Sequence, residues 1–177
     1  MTRKAQQIHL RVVMITMKVN KKGQNLIIYF EGEKLAPYKC SAGVWTIGVG
    51  HTGSLSAIGI DKPIEQVKSI TQAQSRKLLE KDLEYFEQAV ESAVKVPLTQ
   101  DQFNALVSFT FNCGTGALRQ STLLKRVNSR DTAENIMSAF KMWCNANGKP
   151  VHGLIKRRVE EAHVFNGVGY PNAVEVM

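Results

Sequence analysis

The chain has few cysteines and no motif that pairs them. Its 177 residues include only Cys40, Cys113 and Cys144, which are too far apart to form a CxxC motif. This spacing disfavours a metal site, and an odd number of cysteines disfavours a disulfide framework. The composition therefore fits synthesis in a reducing cytoplasm. Cys113 and Cys144 stand in apolar, helical contexts, so we expect them to be small buried hydrophobic residues.

Long hydrophobic runs are also absent near the start of the chain. The apolar stretch from Ile8 to Met17 is interrupted by Arg11, and it is shorter than the roughly 20 residues that a membrane-spanning helix needs. A basic start followed by a short apolar stretch resembles a signal peptide, but no small-residue cleavage site is evident. We therefore predict a soluble extension over residues 1–22 with no stable membrane span, and a flexible tail over residues 167–177.

Acidic residues are outnumbered by basic ones. The sequence has 23 Lys and Arg against 15 Asp and Glu, which gives a formal net charge of +8. This charge favours anionic partners such as nucleic acid, phospholipid headgroups or an anionic cell envelope. No zinc-finger, RRM or helix-turn-helix motif is present to favour nucleic acid. The length suits one domain, or two small lobes that share a helix.

The pattern of apolar residues and capping residues predicts a mainly helical α+β protein with one hairpin. Helices are expected over about Lys22–Glu31, from Thr71 to about Val94, over Asp101–Phe111, from Ser121 or Thr122, from Asp131 to near Trp143, and over Leu154–Asn166. The hairpin is expected over Pro37–Cys40 and Val44–Val49, a third short strand over Ala57–Ile60, and a loop over Gly114–Gly116.

Glu31 is a candidate general acid. Gly32 follows it and suits a helix C-terminal cap, which places Glu31 at the negative end of the helix dipole. An ionised carboxylate is disfavoured there, and a general acid that works near neutral pH needs such surroundings. The alternative is a solvated glutamate at a helix end, like Glu33 two residues later.

Cys40 and Thr46 are expected to be neighbours across the hairpin. Alternation along the second strand places Thr46 on a face of small residues that can border a cleft, and Trp45, Ile47 and Val49 on the core side. An acid, a thiol and a hydroxyl around one opening are typical of a hydrolase in which a held water attacks opposite the acid. The alternative is a plain surface hairpin with a semi-buried cysteine.

The spacing of these residues resembles the phage-type lysozymes, the muramidases of glycoside hydrolase family 24. Eight residues separate Glu31 from Cys40, five separate Cys40 from Thr46, and Gly48-Val49-Gly50-His51 follows. Later blocks match in order, at Ile70-Thr71, Asp82, Phe103-Asn104-Ala105-Leu106, Phe111-Asn112-Cys113-Gly114 and Gly153-Leu154 before Arg157-Arg158. The resemblance implies a catalytic domain over residues 23–166, with a small β-hairpin lobe and a helical lobe joined by a long helix.

The resemblance also implies roles for five further residues. His51 is placed opposite Asp82 in an ion pair that stabilises the small lobe, and it borders the cleft. Phe111 and Asn112 match cleft-lining positions, and Arg157 falls where the family has a cleft residue facing the catalytic glutamate. From the residues alone, the alternatives are a core phenylalanine, a helix cap and a solvated basic face.

The activity implied by the resemblance is hydrolysis of the β-1,4 bond between N-acetylmuramic acid and N-acetylglucosamine in bacterial peptidoglycan. Glu31 donates a proton to the leaving oxygen, a water near Thr46 attacks the opposite face, and the product is inverted. The family more often has aspartate in place of Cys40. Cys40 can ionise during turnover, act as a nucleophile, or orient the water, and these alternatives stay open.

The resemblance finally implies an endolysin that lyses the host cell. Such a protein needs no cofactor or metal, is expected to be a monomer, stays in the host cytoplasm until a holin releases it, and then acts on the cell wall. The alternatives are a lytic transglycosylase, which uses one glutamate and no attacking water, and a non-catalytic basic protein that binds the cell wall.

Overall fold

The computed structural model describes residues 16–175. The extension predicted over residues 1–22 therefore lies mostly outside the described residues. Within the described part, Val19 is buried, and the first helix already begins at Lys21. The globular domain thus starts a few residues before the boundary expected at residue 23.

Helices dominate the described part of the chain, with one small antiparallel sheet and a second pair of two-residue strands. The α-helices are α1 (Lys21–Glu31), α2 (Gln72–Ala93), α3 (Gln100–Cys113), α4 (Thr115–Gln120), α5 (Thr122–Asn128), α6 (Ala133–Lys141), α7 (His152–Phe165) and α8 (Asn172–Glu175). The strands are β1 (Lys34–Lys39), β2 (Trp45–Gly48), β3 (Asn145–Ala146) and β4 (Lys149–Pro150), and 3-10 turns occupy Leu55–Ile58 and Ile64–Gln66. The mainly helical α+β prediction is confirmed.

Helix α1 presents Glu31 at its C-terminal end. Asn20 caps the helix by accepting a hydrogen bond from the Gly23 amide at 3.1 Å, which satisfies one of the free amides of the first turn. The apolar side of the helix is buried at Leu26 and its neighbours. The helix ends at Gly32, which has a φ of +75° and donates from its amide to a carbonyl one turn back. The positive φ favours glycine here and turns the chain into β1.

Strands β1 and β2 form the predicted hairpin. Tyr38 pairs with Thr46, and Lys39 with Trp45. The prediction that Trp45 lies on the core side is wrong, because its side chain is 37% exposed while Thr46 is buried. Trp45 begins the strand beyond the small core, and Lys39 Nζ lies 5.2 Å from its ring centroid, which is a cation–π contact at the surface. Ile47 does reach the core, as expected.

The described residues form two hydrophobic cores, and helix α2 contributes side chains to both. The small core lies under the hairpin and consists of Ile47, Leu55, Ile64, Ile70 and Leu78. The large core lies among the helices and takes Leu79, Leu83 and Val90 from α2. A helix of 22 residues that buries side chains in both cores is the connecting helix that the two-lobe prediction requires.

Helices α2 and α3 begin at the two predicted capping boxes. The Gln74 amide donates to Thr71 Oγ1 at 3.2 Å while the Thr71 amide donates to Gln74 Oε1 at 2.9 Å. Thr99 and Gln102 repeat the arrangement at 3.2 and 3.0 Å. Each box satisfies two backbone donors that would otherwise have no partner in the helix.

Three local predictions are wrong. The third strand expected over Ala57–Ile60 is instead a 3-10 turn over Leu55–Ile58, capped by Ser54 and ended by a left-handed Gly59. The loop expected over Gly114–Gly116 becomes the start of α4. The helix expected from Asp131 instead begins at Ala133 with Thr132 as its cap, because Asp131 Oδ1 accepts from the Thr132 amide at 2.8 Å and lies outside the helix.

The tail expected from residue 167 packs against the domain instead. Tyr170 and Val174 are buried in the large core. The Tyr170 hydroxyl donates to Asp101 Oδ1 at 2.6 Å and accepts from Asn104 Nδ2 at 2.8 Å. The sequence near the chain end does not reveal these contacts, because the partners of Tyr170 lie far away in the chain, on α3. Along the described chain, every helix is too short or too polar to span a membrane.

Candidate active site

Glu31 lies on the wall of an open groove of about 500 Å³ between α1, the end of α3 and the start of α7. The groove is lined by Tyr29, Phe30, Glu31, Asn112, Val151, Gly153, Leu154, Lys156 and Arg157. The Glu31 side chain is 29% exposed, so it can contact a ligand in the groove while it is held from behind. The predicted meeting of Glu31, Asn112 and Arg157 in one groove is present.

Arg157 holds Glu31 from behind. Its Nη1 donates to Glu31 Oε1 at 2.5 Å, and its side chain is 4% exposed. Nε donates to Glu161 Oε1 at 3.0 Å, and Nη2 donates to the Ser108 carbonyl at 3.2 Å. Burial alone would lower the pKa of Arg157, but the carboxylates of Glu161 and Glu31 outweigh burial and raise the pKa. The guanidinium therefore stays charged and fixes the carboxylate of Glu31.

Arg158 extends this network behind the groove. It is fully buried, and its Nη2 donates to Asn112 Oδ1 at 2.5 Å. Its Nη1 lies 3.1 Å from Cys113 Sγ and 3.3 Å from Glu161 Oε2. The two arginines thus share one buried carboxylate, and Glu31 supplies the second negative charge of the network.

Cys40 opens the turn of the hairpin. Its amide donates to the Val44 carbonyl at 3.0 Å, and its carbonyl accepts from the Gly43 amide at 2.8 Å. Hydrogen bonds from the Val44 and Ala42 backbone lower the pKa of the Cys40 thiol, with a smaller contribution from the Thr46 hydroxyl. The thiol is thus placed to ionise more readily than an ordinary cysteine.

Thr46 is buried, and its Oγ1 donates to the Val44 carbonyl at 3.0 Å. The expected neighbourhood of Cys40 and Thr46 is present, since both lie around Val44 at the end of the hairpin. Among the described residues, neither belongs to the lining of the groove that contains Glu31. The predicted roles of Cys40 and Thr46 remain predictions.

Tyr38 lies on β1 and pairs with Thr46 on β2. Burial raises the pKa of Tyr38, and the charges of Cys40 and Glu31 raise it further. Both groups therefore lie within electrostatic reach of the same phenol. The ammonium of Lys34 stands 4.3 Å from the centroid of the Tyr38 ring. Sequence reasoning missed Tyr38, because only the pairing of β1 with β2 brings it opposite Thr46.

His51 and Asp82 form the predicted ion pair. His51 Nδ1 lies 3.0 and 2.9 Å from the two Asp82 carboxylate oxygens, and Nε2 lies 3.2 Å from the Ser54 carbonyl. The hydrogen bond to Asp82 raises the pKa of His51, and its charge adds to the effect, although burial lowers the pKa. With both ring nitrogens occupied inside the small lobe, the pairing fits a structural role for His51. Its predicted contact with substrate remains a prediction.

We expect Asp82→Asn to destabilise the protein mainly at low pH. Because the folded pKa of His51 is raised, the stabilisation is complete below the unfolded value of about 6.5 and is lost as pH rises through the folded value. The expected cost is about 2 kcal/mol near pH 5 and clearly less near pH 9. Urea unfolding at both pH values measures it, with the exposed Asp61→Asn as control. An equal cost at both pH values would contradict the assignment.

Three other predicted side chains lie outside the lining of the groove. Phe111 packs its ring against Phe86 with centroids 5.1 Å apart and lines the core side of α3, so its predicted contact with substrate remains a prediction. Cys113 and Cys144 are half-buried rather than fully buried. Burial raises the pKa of the Cys113 thiol, because the Arg158 charge beside it only partly opposes the effect.

Comparison with known proteins agrees with this geometry. The phage lysozyme family model matches residues 28–161. The chain belongs to the phage lysozyme family. It is 39% identical over 153 residues to an endolysin of Acyrthosiphon pisum secondary endosymbiont phage 1, covering 84% of this chain and 98% of that protein. It is 41% identical over 160 residues to an endolysin of Bacillus phage PZA, covering 89% of this chain but 58% of that protein.

Solved structures show the same fold. A mutant of P22 lysozyme superposes with a TM-score of 0.76 at 36% identity, covering 85% of this chain and 99% of that chain. An endolysin from Escherichia coli O157:H7 phage FAHEc1 gives a TM-score of 0.74 at 39% identity, covering 88% and 98%. The prediction of a phage lysozyme, a peptidoglycan hydrolase that breaks down the host cell wall, is confirmed.

Proposed function

We propose that the chain is an N-acetylmuramidase that hydrolyses the β-1,4 bond between N-acetylmuramic acid and N-acetylglucosamine. The observation that carries this proposal is the Glu31 carboxylate on the groove wall, fixed by Arg157 at 2.5 Å. A carboxyl group held in an open groove of sugar size can reach a glycosidic oxygen. The exposed groove residues Lys156 and Val151 leave that wall open to a glycan chain.

Glu31 acts as the general acid in this proposal. In the free protein, Arg157 Nη1 donates to Glu31 Oε1 at 2.5 Å and fixes the carboxyl group at the end of α1. A bound glycan displaces water from the exposed part of Glu31, and the loss of solvation favours proton uptake. Glu31 then protonates the leaving oxygen while a water attacks the opposite face of the sugar, so that the configuration is inverted. Asn112 contributes contacts to the glycan.

Cys40 and Thr46 stand on the side of the attacking water. The lowered pKa of Cys40 supports a thiolate that receives a proton from the water, in place of the carboxylate of a two-carboxylate glycosidase. Thr46 positions Cys40 through the hairpin end, since its hydroxyl bonds to Val44, whose backbone also bonds to Cys40.

Alkylation of Cys40 with iodoacetamide should lower the hydrolysis rate at least about tenfold, because the modified sulfur can neither ionise nor accept a proton. The measurement is the initial rate of peptidoglycan clearing before and after treatment. Cys40→Ala is the matched control: treatment should leave its residual rate unchanged, which excludes an effect through Cys113 or Cys144. Full activity of the alkylated wild-type protein would remove Cys40 from the mechanism.

The biological setting is also proposed. The protein acts as a monomeric endolysin, is made in the host cytoplasm, and reaches the wall when a holin opens the membrane. Its net charge of +8 favours adhesion to anionic envelope polymers, and salt weakens such adhesion by screening.

Product analysis tests the bond specificity. Purified peptidoglycan is digested, reduced with borohydride and separated by mass spectrometry. A muramidase leaves reduced N-acetylmuramic acid ends, which is the expected result. Reduced N-acetylglucosamine ends would indicate cleavage of the other glycosidic bond. 1,6-Anhydro ends would indicate a lytic transglycosylase, the alternative favoured by the cysteine that stands in place of a second carboxylate.

A further inference from the structure

A buried carboxylate lies behind the arginine that holds Glu31. Glu161 is fully buried, yet the proposed reaction gives it no role. Its Oε1 accepts from Arg157 Nε at 3.0 Å and from Ser108 Oγ at 2.8 Å. Its Oε2 lies 3.3 Å from Arg158 Nη1. A buried charge with this many partners is strongly specified, since an unpaired one would destabilise the fold by several kcal/mol.

The geometry ties the position of Glu31 to Glu161. A guanidinium is planar, and its donors point in fixed directions. Arg157 uses Nε for Glu161, Nη1 for Glu31 and Nη2 for the Ser108 carbonyl. Because Glu161 holds Nε and Ser108 holds Nη2, the direction of Nη1 is set before a glycan binds. The carboxylate of Glu31 is placed in the groove through this arginine.

The charges of the buried network also indicate a role for Glu161. Arg157 and Arg158 place two positive charges behind Glu31, and Glu161 cancels one of them. A general acid must carry its proton when the substrate is bound, and an uncancelled positive charge beside such a group favours loss of that proton. Lys156 and Tyr29 line the groove with Glu31, and the other titratable groups facing this network are Cys113 on α3 and Tyr38 on β1. Burial raises the pKa of the latter two, so both are neutral near pH 7.

We infer that Glu161 is a positioning residue for the reaction: it orients Arg157 toward Glu31 and offsets the charge of the arginine pair, so that Glu31 can take up the proton it donates. This inference rests on the proposed general-acid role of Glu31. It assigns a function to a side chain that lies on α7 and acts on Glu31 through Arg157.

The pH dependence of activity tests the inference. Glu161→Gln keeps the side-chain shape and removes the charge. The basic limb of the activity profile should move to lower pH by about one unit, the size expected for one uncompensated charge several ångströms away. Glu160→Gln on the same helix is the matched control. The Glu160 carboxylate lies 3.8 Å from Nδ1 of the partly exposed His163. The basic limb of the Glu160→Gln activity profile should therefore stay within about 0.2 pH unit of wild type.

Arg158→Gln gives an opposite prediction and keeps the test decisive if Glu161→Gln does not fold. It removes one positive charge and leaves Glu161, so the basic limb should move to higher pH. Thermal unfolding identifies the folded variants. Folded variants whose basic limbs match the wild type, or shift in the same direction, would overturn the positioning role.

The failure of this inference is distinguishable from the failure of the proposed function. If Glu31→Gln retains full activity, the general-acid role is wrong whatever the Glu161 variants show. If Glu31→Gln is inactive and the folded Glu161→Gln and Arg158→Gln variants keep the wild-type limb, only the positioning role of Glu161 is wrong.

Discussion

Glu31→Gln should lower the rate of peptidoglycan hydrolysis by about 10³-fold, because the amide cannot donate a proton to the leaving oxygen. The substitution keeps the shape of the side chain and an oxygen that can accept from Arg157 Nη1. In the wild-type protein this nitrogen lies 2.5 Å from Glu31 Oε1. The groove and its contacts therefore persist while the proton is lost. Initial rates of turbidity clearing at equal protein concentration measure the effect.

The control for this prediction is Glu33→Gln. Glu33 lies two residues later in the chain, outside the groove lining and apart from the partners of Arg157, so the same charge is removed without touching Arg157. Its activity should stay within about twofold of wild type, as is usual for substitutions outside a reacting centre. Glu31→Gln activity above a tenth of the wild-type rate would contradict the general-acid assignment.

Arg157→Met should lower the free energy of unfolding by about 3 kcal/mol, because it leaves the buried Glu161 without its closest charged partner. The carboxylate would keep only Ser108 at 2.8 Å and the more distant Arg158 at 3.3 Å. Activity should fall as well, because Glu31 loses the group that fixes it in the groove. Urea unfolding followed by circular dichroism measures the stability.

Lys156→Met is the matched control for this substitution. Lys156 precedes Arg157 on the same helix but is exposed, with Nζ 5.0 Å from the Tyr29 ring centroid. Its loss should change the free energy of unfolding by less than about 0.5 kcal/mol. A cost below about 1 kcal/mol for Arg157→Met would mean that Glu161 finds another partner, contrary to the proposed network.

Local features of the sequence predicted the framework of the fold well. The capping boxes at Thr71 and Thr99 satisfy backbone amides within four residues, so their effect is contained in a short segment. The end of α1 at Glu31 follows in the same way from Gly32. The pairing of His51 with Asp82 came from the resemblance to a known family, because no local pattern joins residues 31 positions apart.

The rest of the site depends on contacts between distant segments. Arg157 and Glu31 are separated by 126 positions, so the sequence indicated their meeting only through the family resemblance. Glu161 reads as an ordinary charged residue on an amphipathic helix, and only the packing of α7 on α3 shows that it is buried. Trp45 shows a similar limit for a short strand. Alternation along four residues does not determine which face of the strand is buried.

The anomeric configuration of the first product tests the central claim most directly, since that claim is acid catalysis by Glu31 with water attacking the opposite face. Proton NMR of soluble glycan strands during the first minutes of digestion reports the newly formed reducing ends. Cleavage of a β-1,4 bond with inversion should give the α-anomer first, followed by slow mutarotation. Initial β-anomer would instead mean retention through a covalent intermediate, and would contradict the proposed attack by water.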